Sequence, residues 1–438
     1  MPLFSRRRIQ SMLDDISNQV EPKHFIGRLN DKRFEVAIPA EAELGLVWAT
    51  AKLGEFESEP DWFSEMGRKP EGISGELVPG YETVFDVKAI SDRVMPSQVG
   101  MRKISRKFGE QANRIKKRSA NALDYFFFER KDHRNPKNHR TVYAPVNYEP
   151  TDHAISLLRE FLESEPEIGE SVDIVDGEMA VRVTWKPDVF PQFNYRSSIV
   201  REVFDLSENH IAKALQEKVK QLKSQNFQGL RGVLLADVGC ATLGRFEGMD
   251  PLRRSCSGRD IIQHFLDAPS RNLDFVCVFS AQEERSIMQS VNRYWQVSVC
   301  VRSGLNLPMN GLERLAEMLP KPNFTSYALE HLHEQRLFHE QSRGWYLGCN
   351  MTTENDGLRI KFSARALHEF LAGRIDGERL RDSLIKGTGA FEYQLRNGRT
   401  IQSAKIIPGG IDEDDDYIEF QFGADAAASA FSDEAEDE

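Results

Sequence analysis

The chain has 438 residues, 40% of them hydrophobic and 29% charged, and a formal net charge of −11. These values are typical of a globular protein with two or three domains, and no apolar run approaches the roughly 18 residues that span a bilayer. The N-terminus, MPLFSRRRIQ, lacks the apolar segment of a secretory signal, and the five cysteines show no CxxC spacing. We therefore expect a cytoplasmic protein with reduced thiols and no contact with a membrane.

The net charge conceals a segregated distribution of charged residues. Residues 101–140 contain thirteen lysines and arginines against four acids, a net charge of +9, whereas DEDDD stands at 412–416 and SDEAEDE ends the chain. A local basic segment can bind phosphates whatever the total charge of the protein. The acidic end, residues 425–438, is predicted to be a disordered solubilising tail; the alternative is a nucleic-acid mimic that screens a basic groove.

The first predicted elements are one helix and three strands. The helix, PAEAELGLVWATAKLG, begins at Pro39, carries apolar residues at helical spacing and ends at Gly54. EFESEP is a short strand, and residues 69–92 form a hairpin that turns at VPGY, residues 78–81.

The second strand of that hairpin contains an unusual pair of charges. After the apolar residues Thr83, Val84 and Phe85, the strand continues as Asp86-Val87-Lys88. Residues i and i+2 of a strand share one face, so Asp86 and Lys88 lie side by side. This pair indicates either an edge strand with a solvated face, where the ion pair contributes little, or a metal site.

A second group of elements follows a long insertion. Residues from Ser207, the predicted N-cap, form a helix whose apolar stripe is Ile211, Leu215, Val219 and Leu222. GVLLADVG at 232–239 and LDFVCVFS at 273–280 are apolar enough to be buried parallel strands. The helix SGRDIIQHFLDA connects them and completes a β-α-β unit.

The insertion and the C-terminal region have their own elements. The insertion contains the basic segment, the aromatic stretch DYFFFER and a hairpin that turns at Asp176-Gly177. Three consecutive phenylalanines indicate core packing; the alternative is a platform on which unpaired bases stack. After about residue 290, helices GLERLAEMLP and SARALHEFLAGRI and strands RIKFS and YIEFQFG indicate a separate α+β region.

The hairpin predicts a pair of neighbouring carboxylates. Glu71 and Asp86 are equally distant from the centre of the turn, so strand pairing brings them together. Two close carboxylates repel each other unless a cation lies between them, and Mg²⁺ suits such a gap because it keeps water or substrate phosphate as its other ligands. Lys88, on the face of Asp86, could orient an attacking water or stabilise charge on a phosphate oxygen.

Pro70-Glu71, a gap of fourteen residues and Asp86-Val87-Lys88 together resemble the PD-(D/E)xK signature of the restriction-endonuclease-like nuclease superfamily. The resemblance covers residues 40–92 and 205–240. It implies that Glu71 and Asp86 bind the metal and that Lys88 is the catalytic lysine. The first acid of the family is usually Asp, and Pro60-Asp61 is the alternative here, although Asp61 lies outside the hairpin register.

The resemblance also implies supporting residues and a fold. An acid of the first helix, Glu43 or else Glu41, completes the metal site, and Lys218 and Gln221 of the second core helix support it. The implied fold is α/β, with a restriction-endonuclease-like core of one helix and three strands, an insertion, and then a helix and a strand. We predict this discontinuous core at 1–92 and 207–285, the insertion at 93–206, the C-terminal domain at 286–424 and the tail at 425–438.

The basic segment is predicted to be a helix that binds phosphates without specifying sequence; the alternative is a solvated helix. The residues proposed for this contact are Arg102, Lys103, Arg106, Lys107, Arg114, Lys116, Lys117 and Arg118.

No zinc site is predicted, because HLHEQRLFHE does not match HExxH, and Cys240, Cys256 and His264 have no recognised ligand spacing.

The sequence thus predicts a Mg²⁺-dependent endonuclease that hydrolyses phosphodiester bonds in DNA, with Mn²⁺ able to substitute. For a chain that resembles this nuclease superfamily, an extra domain and a large insertion imply an antiviral defence or DNA-processing effector of bacteria, with a partner subunit or a second copy of the chain as its partner. The alternative is a nuclease-fold subunit without activity that binds DNA or another protein.

Overall fold

The computed structural model describes residues 3–31, 33–63, 69–131, 140–187, 195–197, 203–224, 227–248, 255–269, 272–285, 291–332, 349–354, 357–377, 380 and 388–425. The chain divides into two compact units. The larger unit comprises residues 12–335, and the smaller one combines residues 1–11 with residues 336–438. Within the described ranges, no helix is both long and apolar enough to cross a membrane. All five cysteines are free thiols, as expected.

The helices of the described residues are α1 (Arg6–Ile16), α2 (Lys23–Leu29), α3 (Phe34–Leu53), α4 (Pro96–Ile115), α5 (Asp152–Glu163), α6 (His210–Gln221), α7 (Ala241–Gly244), α8 (Gly258–Leu266), α9 (Asn310–Met318), α10 (Ser326–Leu332), α11 (Ala364–Leu371) and α12 (Thr388–Arg396). The strands are β1 (Phe56–Ser58), β2 (Gly72–Ser74), β3 (Thr83–Ile90), β4 (Leu123–Phe127), β5 (Glu129–Lys131), β6 (Arg140–Val142), β7 (Ser171–Asp176), β8 (Met179–Trp185), β9 (Tyr195–Ser197), β10 (Leu230–Asp237), β11 (Phe275–Arg285), β12 (Val291–Val301), β13 (Asn350–Glu354), β14 (Gly357–Ser363), β15 (Arg399–Ile407) and β16 (Tyr417–Ala424).

A six-stranded mixed sheet with the order β1-β2-β3-β10-β11-β12 forms the centre of the larger unit. Strands β1, β2 and β3 are antiparallel neighbours, β10 runs parallel to β3 and β11, and β12 is antiparallel to β11. Helix α3 contacts β3 and β10, and α6 contacts β3. The protein is therefore of mixed α/β class, and its elements follow the predicted order of helix, three strands, helix and strand.

The strands predicted to be buried form the middle of this sheet. Six consecutive residues of β10 pair with β11 in parallel, and α8 connects the two strands, so the predicted β-α-β unit is found. Both strands are apolar because the interior of the sheet is covered on both faces. Helices α6 and α8 cover one face of the sheet, where Ile211, Leu215 and Ile262 pack into one core with Val84 and Leu235.

The predicted hairpin is present, with the predicted register. Strands β2 and β3 pair as Gly72–Phe85, Ile73–Val84 and Ser74–Thr83. The turn closes with a hydrogen bond of 3.0 Å from the Tyr81 amide to the Val78 carbonyl, and Gly80 takes a φ of +88°, a conformation that favours glycine. Strand β3 lies between β2 and β10, so the alternative of an edge strand with a solvated face is wrong.

Two helix boundaries differ from the prediction. Helix α3 begins at Phe34 and includes Pro39 in its first half, and it is buried on most sides rather than along a single stripe. Helix α6 begins at His210, and its N-cap is Asn209, whose side chain accepts a 2.8 Å hydrogen bond from the Ala212 amide. Ser207 instead lies 3.1 Å from His264 Nε2. The stripe of α6 is as predicted, with Ile211, Leu215 and Leu222 buried.

The insertion has a sheet and a core of its own. The sheet order is β7-β8-β4-β9, and β7 and β8 form the predicted hairpin, with Gly177 at a φ of +60°. Its core joins α4, α5 and the sheet through residues such as Phe108, Tyr125 and Leu158. The first part of the basic segment, residues 101–115, is helical as expected, because it lies in α4.

The C-terminal boundary lies further along the chain than the predicted residue 286. Strand β12 pairs with β11 over eleven residues, and α9 contacts β12 and α3. Residues 291–332 therefore belong to the larger unit. Helix α9 matches the predicted helix GLERLAEMLP, whereas most of the histidine-containing segment 331–340 lies outside the described residues.

The smaller unit is a four-stranded sheet, β13-β14-β16-β15, with α11 against β14 and α12 against β15. The predicted strands RIKFS and YIEFQFG are its neighbours β14 and β16. The acidic run at 412–416 pairs with the N-terminal arginines: Arg8 Nε lies 2.8 Å from Asp412, and Arg7 lies 2.9 Å from Asp416. Of the predicted acidic tail, all but Asp425 lies outside the described residues.

Candidate metal centre and adjoining cleft

Three carboxylates from three elements come together in the larger unit. Glu71 precedes β2, and because Gly72 pairs with Phe85, Glu71 stands opposite Asp86 of β3. Glu43 extends from α3, which contacts β3. The charges of Asp86 and Glu43 both act on Glu71, and the charge of Glu43 also acts on Asp86. The sequence-predicted metal ligands therefore form one group.

The electrostatics of this group disfavour three bare charges. The pKa of Glu71 is raised from 4.5 to about 8, chiefly by burial and then by the neighbouring charges of Asp86 and Glu43, against the opposing effect of Lys218 and Arg28. Burial also raises the pKa of Asp86 from 3.8 to about 6, although the nearby ammonium of Lys218 opposes this. A divalent cation would reverse these shifts, because it stabilises the ionised carboxylates.

The two carboxylate oxygens of Asp86 differ in their hydrogen bonds. Its side chain is 1% exposed, and Oδ1 accepts hydrogen bonds from Lys218 Nζ at 2.7 Å and from the Val87 amide at 2.9 Å. Oδ2 is buried and accepts no hydrogen bond from the described residues. A buried carboxylate oxygen without a partner is costly, and it is the kind of atom that a metal ion binds. The residues present therefore fit a hard divalent cation such as Mg²⁺.

The structure distinguishes between the alternatives for the acids. Asp61 is 89% exposed on its side chain and pairs with Lys69 at 2.5 Å, so the pair Pro60-Asp61 does not supply the first acid. Glu43 is the helical acid whose charge reaches Glu71 and Asp86, and it also forms an ion pair with Arg28 of α2. Glu41 is buried in the same helix.

Two lysines lie near the acids and differ in their contacts. Lys218 of α6 pairs directly with Asp86. Lys88 is two residues from Asp86 on β3, lines the adjoining cleft together with Glu43, and forms no ion pair within the described part of the chain. Gln221 is the last residue of α6 and is half-buried, and no hydrogen bond between it and these acids occurs among the described residues.

A cleft of about 1060 Å³ adjoins the candidate metal centre, with Glu43 and Lys88 in its lining. Its walls come from α3, the end of β3, the start of α6 and residues 141–146 of the insertion. Arg28, Arg93 and Lys213 line it beside Lys88, and so do several acids, so its charge is mixed. Nothing in the sequence marked Arg28, Arg93 or Lys213, because each is a single cation in a segment of ordinary composition.

About half of the cations proposed for phosphate contact are already paired. Helix α4 buries Ile104 and Phe108 on its inner face, and three of its cations pair with acids. The pairs are Arg102–Glu35 at 2.7 Å, Arg106–Glu110 at 3.7 Å, Lys107–Glu149 at 2.5 Å and Lys116–Glu165 at 3.9 Å. The cations that form no ion pair with the described residues are Lys103, Arg114, Lys117 and Arg118.

The aromatic stretch divides between the two faces of β4. Tyr125 and Phe127 are buried in the core of the insertion, as the core interpretation predicts. Phe126 and Phe128 are half-buried on the other face, where Arg196 lies 5.9 Å and Arg182 5.4 Å from the ring centroids. These arginines already cover the two rings. If unpaired bases stack on Phe126 and Phe128, the arginines must therefore move or share the ring faces with the bases.

A comparison of the chain with known protein families, with curated proteins and with solved structures finds no match. The geometry of the side chains is therefore what bears on function. Among the described residues, one oxygen of the three carboxylates has no hydrogen bond, one lysine pairs with an acid, and a second lysine beside the cleft forms no ion pair. This arrangement is suited to metal-assisted hydrolysis.

Proposed function

We propose that the protein is a metal-dependent nuclease that hydrolyses phosphodiester bonds, with DNA as the expected substrate. The observation that carries the proposal is the convergence of Glu43, Glu71 and Asp86, with Asp86 Oδ2 buried and without a hydrogen bond among the described residues. Three oxygen ligands beside an open cleft suit Mg²⁺, and Mn²⁺ accepts similar ligands.

The finer fold proposed is the restriction-endonuclease-like core. In its support, α3, the meander β1-β2-β3, α6 and β10 follow one another in the order of that core, and β10 is parallel to β3. The acids and Lys88 stand on the elements where the PD-(D/E)xK resemblance expects them. Glu71 in place of the usual Asp faces Asp86 in this register, so the longer side chain reaches the shared site.

Each residue of the site has a separate role in the proposed reaction. Glu43, Glu71 and Asp86 would hold the divalent ion, which when bound activates water and neutralises charge on the phosphate. Lys218 holds Asp86 in its ionised form through their 2.7 Å ion pair. Lys88, unpaired among the described residues, orients the attacking water and stabilises the charge that develops on the phosphate.

The bond changes are those of a simple hydrolysis. The water oxygen forms a bond to phosphorus, and the bond between phosphorus and the leaving sugar oxygen breaks. The water gives up a proton to solvent, and the leaving oxygen takes a proton from solvent. No oxidant or second substrate is required.

Cleavage of single- and double-stranded DNA and RNA in Mg²⁺ or Mn²⁺ tests the proposal. We expect the wild type to cut one of these substrates and to lose activity in EDTA. Asp86→Asn and Glu71→Gln should reduce cleavage by at least a hundredfold, because each removes a charged ligand without changing side-chain shape. Glu82→Gln is the matched control, since Glu82 is an exposed acid of the same hairpin.

The rival function predicts a different pattern. A nuclease-fold subunit without activity would bind nucleic acid in a salt-dependent manner, while neither the wild type nor any variant would cut it. Absence of both binding and cutting over all four substrates would contradict the proposal and its rival together.

A further inference from the structure

A second group of metal-ligating side chains lies at the ends of the two central parallel strands. Asp92 follows β3 by two residues, Cys240 follows β10 by three, and His210 is the first residue of α6. Ile90 of β3 pairs with Asp237 of β10, so the two strands end side by side and bring Asp92 and Cys240 together. The three ligand atoms lie within 4.8 Å of one another.

The carboxylate of Asp92 and the sulfur of Cys240 approach the same nitrogen of the imidazole. His210 Nε2 is 3.2 Å from Asp92 Oδ1 and 3.4 Å from Cys240 Sγ. A nucleophilic triad would place the sulfur and the carboxylate on opposite ring nitrogens. A single proton on Nε2 can bind only one of the two groups well, whereas a cation between the three atoms can bind all of them.

Two of the three ligand separations agree with tetrahedral zinc. Bonds of about 2.3 Å to sulfur and about 2.0 to 2.1 Å to nitrogen and oxygen separate S from N by roughly 3.6 Å and N from O by roughly 3.3 Å in a tetrahedral site. The observed separations of 3.4 and 3.2 Å lie close to these values.

The surroundings hold the ligands in place and leave a lone pair available. Asp92 is fully buried; its Oδ2 accepts a 2.8 Å hydrogen bond from the Ala241 amide, and its Oδ1 faces His210 Nε2 at 3.2 Å. Asp237 Oδ1 accepts hydrogen bonds from the amides of Gly239 and Cys240, which fixes the loop that carries the thiol. Outer hydrogen bonds of this kind are typical of metal sites.

We propose that Asp92, His210 and Cys240 bind a late divalent transition metal, Zn²⁺ in particular. Nitrogen and sulfur ligands select such an ion, whereas the oxygen ligands of the acidic group select Mg²⁺ or Mn²⁺, so the two sites differ in chemistry. The ion ties the start of α6 to the ends of β3 and β10. Helix α6 also carries Lys218, which pairs with Asp86 of the acidic group. A metal ion bound at this site would therefore fix the position of α6 and, through it, the position of Lys218.

Spectroscopic titration of the full-length, untagged protein with Co²⁺ tests the proposal without any activity assay. After chelator treatment, we expect the wild type to bind one equivalent of Co²⁺ with a thiolate-to-cobalt charge-transfer band and the visible bands of a tetrahedral complex, and Zn²⁺ to displace it. Cys240→Ser should abolish the charge-transfer band. Cys256→Ser, a half-buried cysteine outside the group, is the matched control and should keep it.

Three further variants separate this site from the acidic one. Glu71→Gln and Asp86→Asn should keep the charge-transfer band, whereas His210→Asn should weaken cobalt binding at least tenfold. A wild type without the band at stoichiometric Co²⁺, or a Cys240→Ser variant that retains it, would overturn the proposal. The wild-type titration decides the matter even if Cys240→Ser does not fold.

Discussion

Replacing Glu71 by glutamine should remove a pH dependence of stability that the wild type shows without divalent ions. The pKa of Glu71 is raised from 4.5 to about 8 in the folded protein, chiefly by burial. Between these two values the folded state keeps a proton that the unfolded state has released. Stability is therefore greatest below the lower value and falls as the pH rises through about 8.

The size of the effect follows from the same shift. One pKa unit corresponds to about 1.36 kcal/mol, so the rise in the pKa of Glu71 from 4.5 to about 8 destabilises the folded protein by about 5 kcal/mol at pH 9. That is a large part of the roughly 5 to 15 kcal/mol by which proteins are stable. Bound Mg²⁺ at a hundred times its dissociation constant should restore about 2.7 kcal/mol.

Thermal unfolding in EDTA from pH 5 to pH 9 measures this dependence. Asp237, whose pKa burial raises to about 7, contributes with the same sign, so the comparison between variants is decisive. Glu71→Gln should lose less stability than the wild type over this range, and Mg²⁺ should stabilise it less at pH 8.5. Glu82→Gln should behave as the wild type. Equal slopes for the wild type and Glu71→Gln would refute the argument that Glu71 is buried among like charges.

Three further predictions concern other parts of the structure. Lys88→Met should slow single-turnover cleavage about a hundredfold or more with unchanged affinity for nucleic acid, and a normal rate would exclude Lys88 from the reaction. Reversing the charges of Lys117 and Arg118 should weaken nucleic-acid binding. The slope of the logarithm of the binding constant against the logarithm of the salt concentration should fall by about one for each lost phosphate contact, and filter binding at several salt concentrations measures this slope. Gly232→Ala should cost about 1 to 3 kcal/mol in denaturant unfolding, because its Cβ would lie 2.2 Å from the Phe275 ring, whereas Gly75→Ala meets no atom within 4 Å and should be neutral.

The arrangement of Glu71 and Asp86 could be predicted because it depends on local rules. Side chains alternate along a strand, and the turn at VPGY sets the register, so pairing of two residues follows from their distance to the turn. The same reasoning identified β10 and β11, since a strand covered on both faces must be apolar. Lys218 was found through the family resemblance rather than through local pattern.

The remaining features depend on contacts between distant segments. Arg28 reaches Glu43 because α2 packs against α3, and nothing in either segment indicates this contact. Arg102 was predicted to bind phosphate from the charge of its own segment, and nothing in that segment indicates its ion pair with Glu35, 67 residues earlier in the chain. The domain boundary lies further along the chain than predicted, because β12 pairs with β11 over eleven residues and so belongs to the central sheet. The change in local composition near residue 290 does not indicate this pairing.

The second metal-ligating group has no sequence signal at all. His210 stands 118 residues after Asp92 and 30 residues before Cys240, so no ligand motif includes two of them. The expectation that Cys240 belongs to no metal site considered only spacing along the chain. Parallel strands that end side by side bring such residues together irrespective of spacing.

Anomalous diffraction from crystals of the full-length protein grown with Mn²⁺ tests the central claim most directly. The claim predicts a peak between Glu71 and Asp86, at about 2 Å from Asp86 Oδ2, that disappears in crystals of Asp86→Asn. The absence of any peak at this position in millimolar Mn²⁺, or a peak that persists in Asp86→Asn, would contradict the claim that these carboxylates form a metal centre.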